Sequence, residues 1–69
     1  MNEYEKAQAL ILAIKNHRIT QYRVSKETGI PAPGIKIYRE NEERLMNATY
    51  RNIKKLADGY DQLQDTFKK

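Results

Sequence analysis

The sequence predicts an all-α protein, a compact bundle of about five short helices. Apolar residues recur three and four positions apart over residues 3–16 and 48–59, which is the spacing of one buried helix face. The strand-like run IKIY at residues 35–38 has no second segment with which to pair, and an isolated strand is not stable. The 69 residues therefore predict one small helical domain, residues 1–69.

The first helix is predicted over residues 3–16. Its buried face is formed by Tyr4, Ala7, Leu10, Ile11 and Ile14. Leu12 falls outside this face, so we expect it to pack against a neighbouring element or a second subunit.

A second helix is predicted over residues 21–28, between two local signals. Thr20 carries a hydroxyl that suits the N-cap position, where it satisfies a free amide of the first turn. Gly29 suits the end of the helix, because glycine adopts the left-handed conformation at little steric cost.

The next segment contains two prolines and is predicted to become a helix over residues 33–40. Pro31 stiffens the turn after Gly29. Ala32 precedes a proline and is pushed out of the helical region, so it is the expected N-cap. Pro33 then occupies the first helical position, where its missing N–H does no harm.

The remaining chain is predicted as a charged connector, residues 41–47, followed by a fourth helix over residues 48–59. The apolar side of that helix contains Tyr50, Ile53, Leu56, Ala57 and Tyr60, and either Asn47 or Thr49 is its expected cap. Gly59 is expected to weaken its end, and a last short helical turn spans residues 61–67.

Charge is concentrated in the middle of the chain. The 13 Lys and Arg residues exceed the nine Asp and Glu residues by four. Residues 15–39 contain six basic residues and one acidic residue, whereas residues 40–43 contain three acidic residues. A clustered basic surface is typical of nucleic-acid-binding proteins, but an ordinary solvated surface explains the same charges equally well.

Other functional classes have little support in the sequence. The longest apolar run, residues 7–14, is far shorter than the roughly 18 residues of a membrane span, and no basic segment precedes it as in a secretory signal. The chain has no cysteine, and its single His17 has no partner carboxylate at a catalytic spacing. We therefore expect a cytoplasmic protein that is not an enzyme and uses neither a metal nor another cofactor.

Residues 21–40 resemble the helix-turn-helix signature of the lambda repressor and Cro family, the XRE-like regulators. The resemblance rests on Gln21, Val24, Ser25, Gly29, Ile30, Ile35 and Tyr38. Ser25 is small enough for the two helices to approach closely, and Gly29 permits the turn. The preceding helix and residues 53–67 are similar to the rest of that five-helix fold.

The resemblance implies sequence-specific binding to double-stranded DNA, with the second helix of the motif in the major groove. The implied base contacts are Gln21, Ala32, Pro33, Lys36 and Ile37. The implied phosphate contacts are Tyr22, Arg23, Lys26, Arg39 and Arg44. A nucleoid-associated repressor of phage or mobile-element type in a bacterial cell is expected, acting as a homodimer through Leu63 and Phe67 or through Leu12.

The sequence departs from the family pattern at the start of the second motif helix. Pro31 and Pro33 replace residues that are commonly polar, and Thr28 occupies a position that is usually apolar. The alternative interpretation is a protein-interaction module that keeps this scaffold but binds a regulatory protein, such as an antirepressor or an antitoxin-like partner.

Overall fold

The computed structural model describes residues 1–67, which fold into five α-helices. In chain order these are α1 (Glu3–Lys15), α2 (Gln21–Thr28), α3 (Ala32–Glu40), α4 (Glu42–Met46) and α5 (Tyr50–Phe67). The prediction of an all-α bundle is confirmed. Within these residues, no helix combines the length and the apolar character needed to cross a membrane.

The core is built mainly between α1 and α5, which make the most extensive contact of any helix pair. Leu10 and Leu56 have no exposed surface, and Tyr60 packs against Phe67 with 5.5 Å between the ring centroids. Val24 and Ile35 are the corresponding fully buried side chains of α2 and α3. One core therefore contains side chains of α1, α2, α3 and α5.

Several local signals act as the sequence predicts. The hydroxyl of Thr20 accepts a hydrogen bond from the Arg23 amide, so Thr20 is the N-cap of α2. Gly29 ends α2 with φ of 78°. His17 also has a positive φ, and the amides of His17 and Arg18 donate to carbonyls of the last turn of α1. His17 therefore closes α1, a structural role.

Helix α3 begins one residue earlier than predicted. Pro31, not Ala32, occupies the N-cap position, with an extended ψ of 143°. Its carbonyl accepts hydrogen bonds from the amides of Gly34 and Ile35. Both prolines precede the first amide that needs a partner within the helix, so neither proline interrupts it.

The prediction of a charged connector between helices at residues 41–47 is wrong, because Glu42–Met46 forms α4. The Asn41 side chain caps it by accepting from the Glu43 amide. Leu45 is 2% exposed, so its burial in the core holds this short helix in place. Asn followed by two glutamates is a helix-start signal that the sequence contains.

The prediction that a helix ends near Gly59 is also wrong, because α5 runs unbroken through it to Phe67. A Cβ atom at Gly59 would lie 2.6 Å from the Thr28 methyl group and 3.4 Å from a methyl group of Leu10. Gly59 therefore permits α5 to lie close to the end of α2. The cost of glycine within the helix is offset by this packing.

Candidate nucleic-acid interface

The turn between α2 and α3 is held by side chains from both of its sides. Ser25 donates from Oγ to the Ile30 carbonyl at 2.7 Å. The Gln21 side-chain amide donates to the Ala32 carbonyl at 3.2 Å, which ties the start of α2 to the start of α3. These bonds fix how α3 leaves the turn, so the two helices form one unit.

Thr28, which departs from the usual apolar pattern, is buried and fully engaged. Its hydroxyl donates to the Val24 carbonyl at 2.7 Å and accepts from the Ile30 amide at 3.2 Å. Its methyl group faces Gly59 of α5. A polar residue is tolerated here because both hydrogen-bonding functions of the hydroxyl are satisfied.

One side of α3 faces outward along its length. Pro33, Lys36, Ile37 and Glu40 are all exposed, and their spacing places them on one helix face. Ala32 lies at the margin of this face and is half-buried. We call these five residues the α3 outer face. Of the predicted base contacts, this face includes Ala32, Pro33, Lys36 and Ile37.

The opposite side of α3 is anchored in the core. Ile35 has no exposed surface. The Asn52 side chain of α5 donates to the Tyr38 hydroxyl at 2.8 Å. Because a buried residue and a side-chain hydrogen bond hold the inner side, the orientation of the α3 outer face is fixed by the core.

The exposed basic residues of α2, α3 and α4 are largely free of acidic partners. Within residues 1–67, Arg23, Lys26, Lys36 and Arg44 form no ion pair. Arg39 is half-buried, and its guanidinium lies 3.8 Å from the carboxylate of Glu40. Unpaired side chains of this kind are available to an anionic partner.

Tyr22 is exposed on α2, and a basic residue covers its ring. The Lys26 ammonium lies 5.6 Å from the ring centroid, within the range of a cation–π contact. The spacing of α2 alone is equally compatible with a half-buried core position for Tyr22, but the side chain is 69% exposed.

A groove of about 300 Å³ separates α3 from the start of α5. Ile37 and Gly34 line one wall, and Arg44, Asn47 and Thr49 line another. The free amides near residues 47–50, at the start of the helix expected there, are a further phosphate contact that the sequence suggests, and Asn47 and Thr49 lie in this groove. The groove brings the predicted phosphate contact Arg44 to the edge of the α3 outer face.

The structure contradicts the expected roles of three other residues. Leu63 and Phe67, predicted at a dimer interface, are 2% and 6% exposed inside the monomer core. Neither side chain is available to a second copy, because α5 continues far enough to bury both in the core, where Phe67 packs against Tyr60. Tyr50, predicted in the core, is 68% exposed, and its hydroxyl donates to the Glu3 carboxylate at 3.2 Å.

Gln21 occupies a supporting position instead of a reading position. Its amide is engaged with the Ala32 carbonyl, and the side chain is half-buried. Within residues 1–67, His, Cys, Asp and Glu side chains form no group of three that could hold a metal ion. Comparison with protein-family models, with curated proteins and with solved structures gave no match for this chain.

Proposed function

We propose that this protein binds double-stranded DNA as a sequence-specific transcriptional regulator, most simply a repressor, with α3 in the major groove. The observation that carries the proposal is the α3 outer face, which is exposed and rigidly held from behind by Ile35 and Tyr38. Arg44 of α4 borders it across the groove, and Arg23 and Lys26 of α2 also form no ion pair within residues 1–67. The sequence resemblance to the lambda repressor and Cro family supports the same conclusion. The proposal includes a cytoplasmic, nucleoid-associated location.

The residues of the α3 outer face have distinct roles in this proposal. Lys36 donates to guanine O6 and N7, the acceptors that guanine presents in the major groove. Ile37 and Ala32 contact thymine methyl groups. Pro33 has no amide hydrogen to donate and stiffens the first turn. Gln21 acts behind them by holding the Ala32 carbonyl.

The surrounding side chains contact phosphates and position the protein without reading sequence. Arg23, Lys26 and Tyr22 on α2 form one group, and Arg44 beyond the groove forms another. Arg39 also contacts a phosphate, once its guanidinium has separated from the Glu40 carboxylate. With about four phosphates neutralised per subunit by the four basic residues, the logarithm of affinity should fall against the logarithm of salt concentration with a slope of roughly −3.6.

Selection from a random duplex DNA library at physiological salt tests the proposal. An enriched palindrome with half-sites about one helical turn apart is expected for a dimeric regulator. A single enriched half-site would indicate a monomer or an array. No enrichment would remove the proposed function.

Lys36→Ala then tests the assigned contact. Affinity for the selected site should fall by about 1–3 kcal/mol, with lost preference at one base pair. Lys55→Ala is a matched control, since Lys55 is an exposed lysine of α5 outside the α2–α3 unit. Both variants should keep the helical circular dichroism spectrum. Equal affinity losses in the two variants would show that Lys36 reads no base.

A second candidate function, recognition of a regulatory protein, has one favourable observation. The α3 outer face combines apolar Pro33 and Ile37 with Glu40, and the exposed Glu42 and Glu43 follow it. A surface that mixes apolar and acidic side chains is also suited to contact another protein. If this candidate is right, the library selection should give no enrichment. Any remaining DNA affinity should be weak and salt-dependent, and Lys36→Ala should leave it unchanged.

A further inference from the structure

A second groove, of about 120 Å³, lies between α1, α3 and α4. Its floor is apolar, because Ile11 and Leu45 line it and are only 3% and 2% exposed. Leu12 forms a protruding wall, and Tyr38 supplies an aromatic ring. We call this surface the Leu12 groove.

The exposed edge of the Leu12 groove carries one cation and one anion. Lys15 of α1 and Glu42 of α4 both line the groove, and both are exposed. Among residues 1–67, neither takes part in an ion pair, either with the other or with a third residue. An apolar hollow with a free ammonium and a free carboxylate at its edge suits a ligand that has an apolar body and carries both charges at one end.

The volume of the hollow limits the apolar body of such a ligand. A cavity of roughly 150 Å³ lined by apolar side chains is enough to hold a benzene molecule. The Leu12 groove is slightly smaller, so it suits a branched aliphatic group. Apolar lining with a few polar groups that fix the orientation of the ligand is the usual composition of small-molecule sites in proteins.

Tyr38 connects the Leu12 groove with the groove beside the α3 outer face, because it lines both. Its hydroxyl accepts the hydrogen bond from the Asn52 side chain at 2.8 Å, and Asn52 lines only the second groove, together with Arg44. A ligand in contact with Tyr38 is therefore one hydrogen bond away from the candidate DNA-binding surface.

We propose that the Leu12 groove binds a free α-amino acid with a branched aliphatic side chain. The side chain of the amino acid enters the hollow beside Leu12, its carboxylate pairs with Lys15, and its ammonium pairs with Glu42. Tyr38 passes the occupancy of the groove to Asn52. The site itself is independent of DNA binding and is tested without DNA, whereas an effect of the amino acid on DNA affinity rests on the proposed function as well.

Titration of the full chain with L-leucine, followed by proton–nitrogen correlation NMR, tests the site. Saturable shifts at millimolar concentration are expected for the backbone amides of Leu12, Tyr38 and Leu45, and for the side-chain amide of Asn52. L-Alanine lacks the branched body and should bind at least tenfold more weakly. Isocaproate lacks only the ammonium of leucine and isoamylamine lacks only its carboxylate, so each should bind several-fold more weakly than leucine.

Two neutral variants assign the charges. Lys15→Gln should weaken the binding of leucine several-fold and leave that of isoamylamine unchanged, because isoamylamine has no carboxylate. Glu42→Gln should weaken the binding of leucine and leave that of isocaproate unchanged. Lys55→Gln is the matched control, since Lys55 is an exposed lysine that does not line the groove. Circular dichroism should show that all three variants remain folded.

Tyr38→Phe tests the connection between the grooves. This variant keeps the ring and removes the hydroxyl, so leucine should still bind while the Asn52 side-chain signal no longer responds. A wild-type Asn52 signal that stays unchanged when leucine binds would overturn the transmission through Tyr38.

The site is overturned if leucine gives no saturable shifts, or if alanine binds as tightly as leucine. A loss in Lys15→Gln no larger than that in Lys55→Gln overturns it as well. Shifts at Leu12 and Leu45 that follow the protein concentration instead of the leucine concentration would assign the groove to a second copy of the chain and equally overturn the proposal.

Discussion

The α1–α5 pair and the α2–α3 unit are stabilised in different ways. Helix α1 buries five of its 13 residues and α5 buries seven of its 18, whereas α2 buries two of eight and α3 one of nine. The first pair is therefore held mainly by apolar packing. The second is held by one buried apolar residue per helix, together with hydrogen bonds from Ser25, Gln21 and Thr28.

This difference separates the scaffold from the candidate interface. Because few α2 and α3 side chains contribute to the core, most of them remain at the surface, where a partner can reach them. Their backbone is nevertheless well positioned, since the turn and the Tyr38–Asn52 bond tie the unit to α5. Substitutions in the two regions should consequently change different observables.

The largest effect is expected in the scaffold. Leu10→Ala should lower the free energy of unfolding by about 2–5 kcal/mol, because it leaves a cavity at a side chain with no exposed surface. In a domain this small, most of the native state would be lost, and DNA binding with it. Urea unfolding at low protein concentration measures the change. Leu12→Ala on the same helix is the control, and an equal loss there would contradict the assignment of the core.

The next effect is expected where the two regions meet. Gly59→Ala should destabilise the fold by about 1–3 kcal/mol, because the added methyl group meets that of Thr28, a stiff β-branched residue held by two hydrogen bonds. This loss exceeds the gain in helix propensity of about 1 kcal/mol.

Thr28→Ser supplies the test, since it removes the methyl group and keeps the hydroxyl. In that background Gly59→Ala should become neutral or stabilising, and a double-mutant cycle by urea unfolding should show the coupling. Additive losses would mean that the close approach of α5 to α2 is not what requires glycine.

A smaller effect is expected at the start of the α2–α3 unit. Thr20→Ala should cost about 1 kcal/mol, because the Arg23 amide loses the side-chain oxygen that caps it at 3.1 Å. Hydrogen exchange should accelerate at the first amides of α2 more than in α5. Thr20→Ser retains the hydroxyl and should behave like the wild type. A Thr20→Ser variant as unstable as Thr20→Ala would exclude capping as the cause.

The smallest effect is expected at an exposed ion pair of the scaffold. The pKa of Lys54 is raised above 10.5, first by its hydrogen bond to the Asp58 carboxylate and then by the charges of Asp58 and Glu3. The stabilisation is therefore complete below the ordinary lysine pKa and is lost as pH rises through the raised value. Asp58→Asn should return the pKa of Lys54 toward 10.5, which an NMR titration of Lys54 measures. The free energy of unfolding should change little, because the pair is exposed. Identical titrations would contradict the assigned cause.

The sequence by itself determined the features that depend on near neighbours. The 3.6-residue periodicity predicted the faces of α1 and most of α5, and the short-range chemistry of Thr20 and Gly29 predicted both ends of α2. The exposed Lys36 and Ile37 also follow from local spacing, once Ile35 and Tyr38 are assigned to the inner face. Each of these inferences involves residues within a few positions of one another, whose geometry a helix fixes.

Only the tertiary structure decided the features that depend on distant contacts. Gly59 does not end α5, because Thr28 and Leu10 supply the packing that offsets its poor helix propensity. Leu63 and Phe67 became core residues once α5 continued past Gly59.

The same reasoning applies to Tyr50 and Leu12, whose local patterns do not reveal their surroundings. Tyr50 has core spacing relative to Ile53, yet it is the first residue of α5, and its hydroxyl reaches Glu3 at the surface. Leu12 borders a groove that is formed in part by Tyr38 and Leu45, which lie more than 25 positions away in sequence. Burial is a property of the assembled helices, and local periodicity specifies a helix face without specifying what covers it.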